Sequence, residues 1–189
     1  MSIDSRVRAA FAAVSREDFL LEEQRGYVGD DRPLSIGFHQ TNSQPTTVRN
    51  MLELLDVHAG DRVLDVGSGS GWTTALLGQL TGETGEVWGV EIVPELAEWG
   101  RSNVERYPLT WVSVIAADAD VLGLPAQAPY DRILVSAEAS ELPADLVDQL
   151  ATGGRMVIPV RGRLSVVDRR PGGHVDVRRV GHYAFVPLR

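Results

Sequence analysis

The chain contains neither lysine nor cysteine. All 18 basic residues are arginines, which excludes Schiff-base chemistry at a lysine and a P-loop, whose lysine reaches the bound phosphates. Without cysteine there is no disulfide framework, no thiol nucleophile and no cysteine-ligated metal. Long apolar runs are missing as well. The N-terminal stretch MSIDSRVRAAFAAVSREDF is interrupted by polar residues where a secretory signal needs a continuous apolar core, and no later stretch approaches the roughly 20 apolar residues of a membrane span. A soluble cytoplasmic protein with no membrane partner is the expectation. Positive charge is in deficit, with a net charge of −8, which argues against general affinity for nucleic acid or anionic lipid.

What is present is ordinary globular composition. Over 189 residues, 43% are hydrophobic and 23% charged, enough for one domain with its own core. No repeat, low-complexity tract or linker divides the chain. We expect a single domain and a monomer. A helical segment ending in a functional loop covers residues 1–43, an α/β core 44–160, and a C-terminal hairpin and tail 161–189.

The middle of the chain alternates short β-branched runs with helical patterns. Strands are expected at 61–66, 85–92, 111–117, 130–137 and 154–160, with helices near 72–81, 94–106 and 144–151. Pro94 and Pro143 stand where proline favours a first helical turn. Further helices are expected over 5–14, just after Ser15, and from about Thr46 to Leu55. Such alternation predicts a mostly parallel sheet covered by helices and joined by right-handed crossovers. RLSVVDRR, the turn PGGH and VDVRRV predict an antiparallel hairpin at the sheet edge.

VLDVGSGSGW places Gly67, Gly69 and Gly71 between a strand and a helix, where the missing Cβ permits a tight turn and close approach of a ligand. The dinucleotide fingerprint requires its third glycine three residues after the second; Trp72 stands there instead. Asp65, just before the glycines, repels a pyrophosphate and suits a cationic amine or sulfonium. This points to S-adenosyl-L-methionine rather than a nicotinamide dinucleotide. Glu91, ending the next strand, stands where a carboxylate accepts hydrogen bonds from ribose hydroxyls, or alternatively caps the helix at Pro94. Asp118 ends the third strand and is read either as an acceptor for an adenine amino group or as a solvated loop residue. Together the three acids mark the carboxyl edge of the sheet, where open α/β sheets bind ligands.

DDRPLSIGFHQTNSQP, LDVGSGSG, EIVPELAE, LATGGRMVIPV and the terminal FVPLR together resemble the protein-L-isoaspartate O-methyltransferases, from about residue 15 to the end. The resemblance implies a Rossmann-like class I S-adenosyl-L-methionine-dependent methyltransferase fold. It implies methylation of isoaspartyl carboxylates in damaged peptides, the ester then favouring succinimide formation and return toward aspartate. A same-fold carboxyl methyltransferase acting on an aspartate of one dedicated peptide partner is the alternative, and a non-catalytic cofactor- or peptide-binding module a more distant one.

By the same resemblance Ser43 is the active-site serine, and Gln40, Thr41 and Asn42 fold with it over the cofactor. Asp65, Gly67, Ser68, Gly69, Glu91, Asp118 and Ala119 form the cofactor pocket, and Val186, Pro187 and Leu188 line the peptide groove. His39, beside the site, is expected to touch substrate. From the sequence alone, Ser43 is also placed to be the N-cap of the following helix. No pair of the four histidines has metal-site spacing, and no metal is expected. Asn42 stands where the family is usually apolar and His39 where glycine is common. Around Asp118, ADA replaces the family's usual GDG. Glu138 and Ser140 occupy positions that usually carry small apolar residues, and a carboxylate at 138 near the groove is expected to repel an acidic substrate unless it points away or pairs with arginine.

Overall fold

The computed structural model describes residues 2–188. Met1 and Arg189, the ends of the expected 1–189 domain and, for Arg189, of the FVPLR motif, lie outside the described residues.

The first helix, α1 (Ile3–Ala13), starts where the Ser2 hydroxyl accepts from the Ser5 amide and buries Val7 and Ala10. Short 3₁₀ turns follow at Arg16–Phe19 and Glu22–Tyr27. The stretch from 34 to 42 then forms a small antiparallel hairpin, β1 (Leu34–Gly37) and β2 (Gln40–Asn42). Its tip runs through three consecutive left-handed residues, Gly37, Phe38 and His39. The next helix, α2 (Pro45–Leu55), buries Val48, Met51, Leu52 and Leu55, one stripe at helical spacing.

The core follows as β3 (Arg62–Val66), α3 (Trp72–Thr81), β4 (Glu86–Glu91), α4 (Pro94–Val104), β5 (Val112–Ala116), β6 (Tyr130–Val135), α5 (Ala144–Asp148) and β7 (Leu150–Val160). A hairpin of β8 (Arg163–Arg169) and β9 (Val175–Val180) ends the sheet. The strand order is β5-β4-β3-β6-β7-β8-β9. The first five in this order pair in parallel, while β8 and β9 are antiparallel. Central strands are buried on both sides because successive side chains alternate. Val63, Leu134 and Val157 pack with Val7, Leu52 and Leu76 from the first three helices, whereas Leu64, Ile133 and Met156 pack with Leu146 of α5. The expected α/β architecture is present, with its terminal hairpin at the sheet edge.

Two boundaries differ from expectation. Helix α5 stops at Asp148, and β7 begins at Leu150 rather than near 154. Gly154 explains part of this: a Cβ there would stand 3.0 Å from the Tyr130 carbonyl and 2.9 Å from that of Ala151, so LATGG packs as an irregular strand against β6.

Strand β3 pairs with β4 on one side and β6 on the other. Strand order reverses there, so a crevice opens outside its carboxyl end, directly over the glycine loop.

Candidate active site

A cleft of about 460 Å³ occupies that crevice, within the range of small-molecule sites, roughly 300–1,000 Å³. The glycine loop forms its floor. Gly67 and Ser68 donate to the Val90 carbonyl at 2.9 and 3.1 Å, and the Gly71 amide closes the turn on the Ser68 carbonyl at 2.8 Å. Gly71 is left-handed, at φ 89°, and a Cβ on it would stand 2.8 Å from the Gly100 carbonyl. Gly100 of α4 is equally tight against the Gly69 carbonyl, at 2.8 Å. The loop and α4 therefore meet backbone to backbone, and neither position admits a side chain.

Of the expected site residues, Gln40, Thr41, Asn42, Ser43, Gly67, Ser68, Gly69, Glu91, Asp118, Ala119, Val186, Pro187 and Leu188 all line this one cleft. Glu91 accepts from the Gly69 amide at 2.8 Å with Oε2 and from the Val93 amide at 3.0 Å with Oε1. It braces the glycine loop and the start of α4 together, and both oxygens keep acceptor capacity. Asp118 is exposed and accepts from the Asp120 amide at 3.0 Å. The tail is held by backbone bonds, from Glu138 N to the Val186 carbonyl at 2.7 Å and from Leu188 N to the Glu138 carbonyl at 2.8 Å.

Three expectations need correction. Asp65 does not reach the cleft wall: its carboxyl is wholly buried beneath the loop and accepts from the Thr74 hydroxyl at 2.7 Å. Burial, opposed by that hydrogen bond and reinforced by Glu91, pushes it up to about 7. His39 sits exposed at the hairpin tip and is not part of the cleft, because the left-handed turn carries it outward. Ser43 is not the helix cap. Gln44 holds that position, and the Asp31 carboxylate takes over the capping, accepting from the Thr46 amide at 2.9 Å and its hydroxyl at 2.8 Å. Those bonds hold the Asp31 carboxyl below its usual range. For Glu138 the structure selects the alternative in which it points away: it is absent from the lining, where Ser140 and Glu141 appear, and its backbone pairs with the tail.

Sequence reasoning missed Arg16. This guanidinium is buried, at 6% exposure, and donates to Asn42 Oδ1 at 2.8 Å and to the carbonyls of Asp30, Arg32 and Ser43 at 2.9, 2.8 and 3.1 Å. Nothing in its spacing marks it. Asn103 was also missed; its side-chain amide holds the Ser70 carbonyl at 3.0 Å.

The buried side-chain polar atoms without a partner among the described residues are Asp65 Oδ1, Ser68 Oγ and Trp72 Nε1. Ser68 and Trp72 line the cleft, and unpaired buried polar atoms there mark a site built for a polar ligand, whereas Asp65 Oδ1 lies beneath the loop in β3. The cleft lining includes five carboxylates (Glu91, Asp118, Asp120, Glu141, Asp145) and no arginine or histidine. That charge favours a ligand carrying a cation. No group of three or more histidine, aspartate or glutamate side chains suited to a metal occurs among the described residues, and no described helix is long and apolar enough to cross a membrane.

The family model of protein-L-isoaspartate(D-aspartate) O-methyltransferase matches residues 1–189. The chain belongs to this family. It is 46% identical to a protein-L-isoaspartate O-methyltransferase of Aeropyrum pernix over 97% of this chain and 72% of that one. It is 42% identical to that of Methanococcoides burtonii over 98% and 92% of the two chains. A structure from Plasmodium falciparum, assigned as a protein-L-isoaspartate O-methyltransferase and solved in complex with S-adenosyl-L-homocysteine, superposes with a TM-score of 0.83 at 26% identity. The match covers 97% of this chain and 90% of that one. The fold is thus that of the S-adenosyl-L-methionine-dependent methyltransferases.

Two departures from the usual isoaspartate methyltransferase pattern have physical accounts. Asn42, in place of an apolar residue, is buried at 5% exposure; it accepts from Arg16 and donates to Ser70 Oγ at 3.3 Å. The buried amide is thereby hydrogen-bonded on both its oxygen and its nitrogen. His39 occupies a left-handed position, φ 59°, which is where glycine is at least steric cost.

Proposed function

We propose that this protein transfers a methyl group from S-adenosyl-L-methionine to the free carboxylate of L-isoaspartyl residues in damaged peptides and proteins. The observation that carries the reading is the convergence, in one cleft at the sheet's switch point, of the Ser43 hydroxyl, the glycine loop, Glu91, Asp118 and the Val186–Leu188 tail.

When bound, S-adenosyl-L-methionine supplies an electrophilic methyl on a sulfonium. The chain's own residues bind and orient. Glu91 and Asp118 offer carboxylates to ribose hydroxyls and an adenine amino group, and the unpaired Ser68 Oγ and Trp72 Nε1 offer hydrogen bonds within the floor. A substrate carboxylate, with an ordinary pKa near 4, is already ionised at neutral pH and needs no general base. Catalysis then rests on alignment. The Ser43 hydroxyl has no hydrogen bond to other described residues and lines the cleft, free to donate to the substrate carboxylate. The tail, tied to residue 138 by backbone bonds, forms a fixed wall for the peptide.

The test is methyl transfer from labelled S-adenosyl-L-methionine to two matched peptides, one with isoaspartate and one with aspartate. Selective labelling of the isoaspartyl peptide is expected. Labelling of neither, with cofactor binding retained, would overturn the proposal.

A further inference from the structure

A second groove, of about 450 Å³, lies beside the cleft, and its wall includes Glu141, Leu142, Val160, Arg163, Val177 and Arg179. The strand register explains its position. Val160 pairs with Arg163 at the β7–β8 turn, and Ser165 pairs with Arg179, so these residues share one face at the cleft end of the sheet. Glu141 belongs to both cavities, which makes them neighbours along one rim. Arg161 also lines the groove, and its Nε donates to the Ser140 carbonyl at 2.6 Å, on the cleft's lip. None of the three guanidinium groups pairs with a carboxylate among the described residues. Val177, two residues before Arg179 on β9 and 43% exposed, adds to the apolar surface of the groove.

The contrast with the cleft is sharp. In a chain of net charge −8, five carboxylates line the catalytic cavity without an arginine, and three arginines line the cavity next to it. An anionic substrate approaching the first is repelled by the fixed charge there and drawn by the second.

We infer that the Arg161–Arg163–Arg179 groove is a subsite for acidic residues flanking the methylated position, so that the enzyme favours isoaspartyl sites in aspartate- and glutamate-rich segments. The inference rests on the isoaspartyl methyltransferase reading and adds a substrate class to it. The groove lies away from Ser43 and the glycine loop, so its arginines act on peptide binding and not on methyl transfer.

The test compares two isoaspartyl peptides that differ only in flanking residues, glutamate in one and glutamine in the other, with wild-type protein and the double variant Arg163→Gln, Arg179→Gln. Arg161 is left in place because it holds the cleft's lip. For wild type, a KM about fivefold lower for the acidic peptide is expected from two exposed ion pairs, with kcat alike for both and the difference shrinking in high salt. The double variant should lose most of the difference while methylating the glutamine peptide normally, with its fold confirmed by an unchanged circular dichroism melt. Equal KM values for the two peptides in wild type would overturn the subsite.

Fluorescence anisotropy of the same labelled peptides, with S-adenosyl-L-homocysteine present, separates the two readings. Preferential binding of the acidic peptide that depends on Arg163 and Arg179, without turnover of either peptide, would sustain the groove and overturn the activity. Binding of a single-stranded oligonucleotide to the same arginines with no preference between peptides would overturn the groove.

Discussion

The guanidinium of Arg16 and the side chain of Asn42 are joined by a 2.8 Å hydrogen bond from Nε to Oδ1, and both groups are almost wholly buried. Arg16 also holds the Ser43 carbonyl, so a residue far from the cleft in sequence fixes the backbone that presents the Ser43 hydroxyl. Burial pulls Arg16 down to about 10, which leaves it cationic at neutral pH. Arg16→Leu removes the donor to the buried Asn42 side chain and to several partly buried carbonyls and should destabilise the protein by about 3 kcal/mol, with Arg16→Lys intermediate because an ammonium lacks the planar fork. Urea unfolding measures this; a loss below about 1 kcal/mol would show that water replaces the guanidinium.

Ser43→Ala should lower kcat while leaving cofactor affinity within about twofold and stability within about 0.5 kcal/mol, since Asp31 and not Ser43 caps α2. Asp31→Ala should do the reverse, lowering the melting temperature with kcat nearly intact. Its contribution is present above the unfolded aspartate pKa and disappears as pH falls through the lower folded value. A large stability loss in the serine variant would restore the capping role to Ser43.

Gly100→Ala tests a residue that touches no ligand in this reading. Its new Cβ would meet the Gly69 carbonyl at 2.8 Å, and backbone cannot yield as a side-chain tip can. We expect a stability loss of about 1–3 kcal/mol and at least a tenfold weakening of S-adenosyl-L-homocysteine binding by calorimetry, roughly 1.4 kcal/mol. Unchanged affinity would mean that the loop shifts freely against α4.

Asp65 makes a pH prediction. The unfolded chain titrates it near 3.9, whereas burial raises it to about 7 in the fold. Between about pH 4 and 7 the folded state keeps a proton that the unfolded state has lost, so this group's contribution to stability falls as pH rises through that window and is flat above it. Asp65→Asn should therefore gain on wild type from pH 4 to 7, by at most about 4 kcal/mol. Unfolding curves of both proteins at pH 5 and pH 8 decide it; a pH-independent difference would place Asp65 near its ordinary pKa.

Much of the site could be read from the sequence because its markers are local. A glycine loop between a strand and a helix needs only neighbouring residues to be recognised, and the strand end at Glu91 and the place of Asp118 just beyond β5 follow from hydrophobic runs. Gln40 to Ser43 and Val186 to Leu188 entered through family resemblance, and all of them line the cleft. The errors came where side-chain direction decides. At Asp65 the chain turns from strand to loop, and the carboxyl goes under the loop to Thr74. At 138, where the sequence left the direction open, the backbone pairs with the tail, and Glu141 rather than Glu138 faces the cavity. Ser43 has the composition of a cap, but Asp31 arrives from the preceding segment and takes the position.

The sequence by itself determined the class of fold, the place of the ligand loop and the chemistry excluded by the absence of lysine and cysteine, because each depends on residue type and short-range periodicity. Only the tertiary structure decided that Arg16 holds the Ser43 segment, that Gly100 closes on the glycine loop, and that three arginines gather beside an acidic cleft. Those relationships join residues distant along the chain, and which of them meet is determined by strand order, register and helix packing.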